Sequence, residues 1–141
     1  MYDLIHNHGQ HPPCNSLMLG HQNDGSGSYW LVIVNTPHGR IPGKARAGKA
    51  WYSFGGKEHE SHDFHWIKVS RGYRVHQERS SSVPHGAVVG FQHNNNKAVF
   101  GVICHTPHGH IPGKSNGQEA HYGWGGKEET CHDFSYVVIR H

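Results

Sequence analysis

Thr36-Pro37-His38-Gly39-Arg40-Ile41-Pro42-Gly43-Lys44 returns almost unchanged as Thr106-Pro107-His108-Gly109-His110-Ile111-Pro112-Gly113-Lys114, 70 positions later in a chain of 141 residues. The offset holds without a gap over residues 15–71 and 85–141. Gly20 meets Gly90, Gln22 meets Gln92, Tyr52 meets Tyr122, Gly55-Gly56-Lys57-Glu58 meets Gly125-Gly126-Lys127-Glu128, and His62-Asp63-Phe64 meets His132-Asp133-Phe134. Identities across so many residue types mark a duplication rather than a biased composition. Two copies are too few for a solenoid, in which three or more units stack to bury a continuous core. A unit of about 60 residues buries only about 60% of its unfolded surface. The two copies are therefore expected to form one compact domain, a pseudo-twofold pair interlocked around a shared core. Residues 1–14 are read as an N-terminal arm and residues 72–84 as the linker between copies.

The local pattern predicts an all-β fold. Short β-branched or aromatic runs bounded by Gly, Asn and Ser read as strands: Leu17-Met18-Leu19, Tyr29 to Val34, Trp51 to Phe54, Phe64 to Val69, and their counterparts at 87–89, 99–104, 121–124 and 134–139. No window places apolar residues at i, i+3, i+4 and i+7. Turns are expected at Asn23-Asp24-Gly25, Pro37-His38-Gly39, Pro42-Gly43 and Gly55-Gly56, where Gly supplies positive φ and Pro presets it.

Composition removes several functional classes. Only 34% of residues are hydrophobic and 16% charged, while the chain carries 19 glycines and 17 histidines. No run approaches the roughly 20 apolar residues of a membrane-spanning helix, and Met1 to Cys14 lacks the apolar stretch of a signal peptide. Cys14, Cys104 and Cys131 form no paired framework, which favours a cytoplasmic protein, or one exported without a visible signal peptide. A net charge of +3 without a cluster of four Lys/Arg argues against nucleic acid. No cofactor is expected. The histidines suggest metal, but ligands of a built site should recur with the repeat. Only His38, His62 and their partners His108 and His132 do so, and no metal site is expected. Cys104 and Cys131 face Val34 and Ser61 in the first copy, no Ser stands in a nucleophile elbow, and adjacent His-Asp residues on a strand point to opposite faces. Catalysis is not expected.

Pro-Gly-Lys occurs twice, and a lysine ammonium with three donors beside Gly20-His21-Gln22 or Gly90-Phe91-Gln92 suits a polyhydroxyl ligand, with an aromatic face to take the C–H side of a sugar. Lys44 with Gln22 and Lys114 with Gln92 are the candidate binding residues, one site per repeat. His38, His108, Lys57, Glu58, Lys127 and Glu128 form a second tier. A phosphate-loop reading of Gly-Gly-Lys-Glu fails, because Glu replaces the Ser/Thr and no helix follows. Lys57-Glu58 reads equally well as a hairpin stiffened by its own charges.

The succession Gly-x-Gln, apolar strand, Pro-Gly-Lys, aromatic strand, Gly-Gly-Lys-Glu, Phe strand resembles the DM-nine repeat family over residues 15–141. The resemblance implies an all-β protomer of two tandem copies with strands exchanged between them. It also implies a mannose-binding lectin of innate pattern recognition, with the sugar held by the lysine of Pro-Gly-Lys and by an acid after the strand glycine. Those positions are Lys44 and Lys114, with Gln22 and Gln92 standing where the family has the acid. Glutamine keeps an acceptor and gains donors but gives up the charge-assisted bond. Weak single sites gain from multivalency, so a homodimer is expected. The alternative is a non-catalytic structural or protein-interaction module of the same fold.

Overall fold

The computed structural model describes residues 1–9 and 11–141 and is all-β, as the turn and strand pattern predicts. Fourteen strands run in chain order: β1 (Tyr2–His6), β2 (Gly20–Gln22), β3 (Gly27–Thr36), β4 (Gly39–Arg46), β5 (Lys49–Phe54), β6 (Lys57–Ser61), β7 (Phe64–Val69), β8 (Arg74–Glu78), β9 (Val89–Gln92), β10 (Lys97–Thr106), β11 (Gly109–Ser115), β12 (Ala120–Trp124), β13 (Lys127–Cys131) and β14 (Phe134–Arg140). Pairing closes eight of them into a barrel in the order β3-β2-β11-β12-β13-β6-β5-β4, because β4 returns to β3. The remaining strands extend this ring. β7 and then β1 follow β3, while β9, β10, β14 and β8 continue from β4, and β10 pairs back along β11 as β3 does along β4.

Two joints decide where the site lies. β2 pairs with β11 through Gln22↔Gly109 and His21↔His110, and β9 pairs with β4 through Gln92↔Gly39 and Phe91↔Arg40. Each joint is prolonged by one backbone bond, from Asn23 N to the His108 carbonyl and from His93 N to the His38 carbonyl, both 2.8 Å. The short strand that carries each glutamine thus lies against the other repeat's Pro-Gly-Lys strand.

Pro42-Gly43, expected as a turn, lies inside β4, and Pro112-Gly113 lies inside β11. The outer edge of β4 is shared by two partners, β9 at Gly39 and Arg40 and β5 from Lys44 onward. Pro42 falls in the gap between them, where a missing N–H costs no ladder bond. Gly43 is required by close approach: a Cβ there would overlap the Trp51 carbonyl, and one at Gly113 the His121 carbonyl. By contrast Gly55-Gly56 forms the expected two-residue hairpin turn. Its φ values of 64° and 83°, repeated as 60° and 84° at Gly125-Gly126, are the double positive φ of such turns.

Further differences concern the flanks. Leu17-Met18-Leu19 forms no strand, although Leu17 is buried in the core. Tyr2–His6, within the presumed arm, pairs along β7, and Arg74–Glu78, within the linker, pairs along β14. Both complete open sheet edges that the apolar residues of β7 and β14 need covered.

The core has three parts. A central cluster takes Leu17, Leu31, Ile33, Ile67 and Val69 from the first half and Val88, Ile103, Val137 and Ile139 from the second. Trp66, Phe64 and Tyr52 head a cluster within the first repeat, and Tyr136, Tyr122 and Ile111 one within the second. The central cluster draws on both halves, so neither half could bury it alone.

Candidate functional site

Lys44 leaves β4 where that strand meets β5, and its ammonium is buried, with 6% of the residue exposed. A lone cation there would carry a large desolvation cost. It is met by Gln22 Oε1 at 2.7 Å, the Gly123 carbonyl at 2.9 Å and Glu58 Oε2 at 3.1 Å. Lys114, 5% exposed, repeats the arrangement with Gln92 Oε1 at 2.7 Å, the Ser53 carbonyl at 2.6 Å and Glu128 Oε2 at 3.3 Å. In each case the ammonium donates to an amide oxygen and a backbone carbonyl and forms an ion pair with the carboxylate. Burial lowers both lysine pKa values, opposed by Glu58 and Asp24 at Lys44 and by Glu128 at Lys114.

The carboxylates are supplied by the Gly-Gly-Lys-Glu hairpins. A two-residue turn sets Phe54 opposite Lys57 and Ser53 opposite Glu58, so the alternation of β6 sends Glu58 and Lys57 to opposite faces. Glu58 therefore pairs with Lys44 rather than with its chain neighbour. Its other oxygen accepts from Gly126 N at 3.2 Å, and Glu128 accepts from Gly56 N at 3.1 Å. The backbones clasp in the same way, Glu58 N donating to the Gly126 carbonyl and Glu128 N to that of Gly56, both at 3.0 Å. At Glu128 burial pushes the carboxyl upward, but Lys114, the Gly56 amide and Ser53 outweigh it and hold it below its ordinary value. Lys57 and Lys127 face each other at the β6–β13 contact and are exposed, outside both lysine sites.

A cleft opens beside each lysine. One, of about 310 Å³, is lined by Gln22, Asp24, Tyr29, Lys44, Trp51, Glu58, Trp124 and Gly125. The other, of about 260 Å³, has Gln92, Asn94, Val99, Lys114, His121, Glu128, Phe54 and Gly55 in the corresponding places, joined by Asn95 and Asn116. Both volumes lie near the small end for ligand sites. All four first-tier residues and both second-tier glutamates thus line clefts. Each cleft takes its lysine, amide and carboxylate from one repeat and one ring with the glycine after it, Trp124-Gly125 or Phe54-Gly55, from the other; Tyr29 and Trp51 come from the same repeat as Lys44. His38 stacks on Phe54 with centroids 4.0 Å apart, and His108 on Trp124 at 4.2 Å, so these histidines support the walls from behind.

Tyr29, Trp51 and Trp124 have centroids 5.6, 5.9 and 5.7 Å from the Lys44 ammonium, and Phe54 lies 5.2 Å from that of Lys114. Sequence reasoning missed these rings and Asp24. Register from the Gly55-Gly56 turn could have placed Glu58, and alternation could have placed Trp51, which pairs directly with Lys44. The arrival of Trp124 from the other repeat had no local signal.

No protein-family model and no curated protein matches the sequence. Among solved structures, the nematode sperm cell motility protein MFP2B is similar, with a TM-score of 0.72 and 13% identity over 99% of this chain and 46% of that one. The likeness shows the fold, and this chain spans less than half of that protein.

Proposed function

We propose that the protein is a non-catalytic, metal-independent carbohydrate-binding protein with two clefts, one at Lys44 and one at Lys114. The observation that carries this reading is the recurrence, at an offset of 70, of an amide, an ammonium, a carboxylate and an aromatic wall in both clefts. Vicinal hydroxyls each donate and accept, and such a polar edge facing a ring suits a sugar with one polar and one C–H face. Mannose-type glycans are the first class to test, from the DM-nine resemblance, with pattern recognition as the biological use and a homodimer as the avid form. The matched joints β2–β11 and β9–β4 support a pseudo-twofold pair of repeats with exchanged strands. A glycan array with the wild-type chain and with Trp124→Ala/Phe54→Ala tests the reading: binding lost with the walls is expected, and unchanged binding overturns it.

A second reading has its own observation. Each lysine already holds two protein acceptors and a carboxylate, and in doing so it ties one repeat to the other. On that reading the lysines are clamps of a structural or protein-interaction module, a role in keeping with the motility protein that shares the fold. Absence of glycan binding together with a saturable protein partner selects it.

A further inference from the structure

The two clefts share their frame and differ at their rims. In the frame charge cancels, since the Lys44 and Lys114 ammoniums face Glu58 at 3.1 Å and Glu128 at 3.3 Å. The rim of the Lys44 cleft adds a second carboxylate, Asp24. Asp24 Oδ1 accepts from Ser26 N and Ser26 Oγ at 3.0 and 2.5 Å, and Oδ2 accepts from Gln22 Nε2 at 3.1 Å. Those bonds, led by Ser26, lower its pKa, and the group stays exposed and ionised. Asp24 acts on the Lys44 ammonium at longer range, but among the described residues no cation lies within 4 Å of it, and the Lys44–Glu58 pair with Asp24 leaves the cleft one negative charge in excess. A carboxylate offers about four acceptor positions, of which three are occupied here. Three aromatic faces surround the same cleft, and ring faces attract cations. Lys49, which does not line the cleft, lies 5.7 Å from the Trp51 ring and is paired with Glu60 at 3.6 Å.

The Lys114 cleft replaces Asp24 by Asn94, Trp51 by His121 and Tyr29 by Val99, and adds Asn95 and Asn116. Its rim carries three neutral amides, Asn94, Asn95 and Asn116, beside His121, and no second carboxylate. The neighbouring Glu119 faces His121 at 3.4 Å and does not line the cleft. Amides donate and accept at once, which matches hydroxyls, whereas an unpaired carboxylate among rings matches a cation.

We propose that the clefts have divergent specificity: the Lys44 cleft selects a sugar carrying a free amine, held by Asp24 and the aromatic faces, and the Lys114 cleft takes a neutral sugar. The inference rests on the carbohydrate reading and adds the class of ligand at each cleft. One unpaired unit charge at about 4 Å in water corresponds to a preference of about fivefold, weakened by salt.

The test is an amide-resolved NMR titration of the full chain at low salt, with methyl mannoside, methyl glucoside and their amino-deoxy analogues as probes. The Gly125 amide and the indole N–H groups of Trp51 and Trp124 report the Lys44 cleft; the Gly55 and His121 amides report the Lys114 cleft. The expected result is an amino-sugar preference of about fivefold at the Lys44 cleft only. Asp24→Asn should abolish it without loss of the turn, because Asn94 occupies the matching position, and Asn94→Asp should create it at the Lys114 cleft. Equal binding of amino and parent sugars at the Lys44 cleft, or a preference that survives Asp24→Asn, overturns the inference while leaving carbohydrate binding intact. No shift at either cleft with any probe overturns both.

Discussion

The Lys44 and Lys114 clefts hold the same three polar groups at nearly the same distances, yet one is ringed by Tyr29, Trp51 and Trp124 and the other by Val99, His121 and Phe54. The buried part has stayed constant while the rim has diverged. The difference teaches which residues answer to the fold and which are free to answer to a ligand. A buried ammonium without its carboxylate, or the reverse, leaves an uncompensated charge, so lysine and glutamate can change only together. Rim residues carry no such constraint.

The most forceful way to break this comparison is to remove one lysine. Lys44→Met and Lys114→Met are each expected to cost about 3–5 kcal/mol, the usual effect of deleting one partner of a buried pair. Urea unfolding should give similar losses at the two positions, and adding Glu58→Gln to Lys44→Met should restore much of the stability. A small loss at one position and a large loss at the other would show that the frames are not equivalent.

Next come the strand glycines. Gly43→Ala and Gly113→Ala place a methyl against the carbonyls of Trp51 and His121, and each is expected to cost about 1–3 kcal/mol through forced displacement of the neighbouring strand. Thermal unfolding of the two variants compares the strand spacing in the two halves.

A milder perturbation is acid. The Glu128 carboxyl is held below its ordinary 4.5 in the folded protein, so the unfolded chain takes up its proton first as pH falls. The stability it contributes is complete above about pH 4.5 and disappears as pH drops through the lower folded value. Thermal midpoints measured across that window should fall, and Glu128→Gln should flatten the part of the slope due to this group.

Much of the architecture was legible because its signals are local. Gly55-Gly56 can hardly be anything but a two-residue hairpin turn, and the β-branched runs beside it alternate as strands do. Pro42-Gly43 misled for a physical reason: the same residue types that make turns also tolerate a strand whose outer edge passes from one partner to another. Glu58 reads from the sequence equally well as a binding residue or as the partner of Lys57, because chain proximity competes with strand alternation until the register is known. The meeting of Lys44 with Gln22 and of Lys114 with Gln92 is legible through their recurrence. The aromatic walls are not, since Trp124 is brought to Lys44 by pairings between the two halves such as β6–β13, which leave no trace in either segment alone. Tyr2–His6 and Arg74–Glu78 escaped for a related reason, their partner strands β7 and β14 being more than 50 residues away in both cases.

The finest test exchanges rim residues and leaves the frame alone. Trp51 meets Tyr29 edge-on with centroids 6.1 Å apart, whereas His121 has Val99 in the corresponding place. Trp51→His should therefore lose an aromatic contact of about 0.5–1.5 kcal/mol, while His121→Trp meets Val99 rather than a ring at that position, gives up only exposed contacts with Glu119 and Thr130, and should change stability by no more than about 0.5 kcal/mol. Denaturant midpoints of the two single variants and their double measure this. Because the sites share no partner, the two effects should add. Unequal small effects that add would place the rims outside the structural constraint that fixes the lysine pairs. A loss at His121→Trp as large as that at Lys114→Met would mean that the rim is part of the frame, and the divergence between clefts would then reflect packing rather than ligand choice.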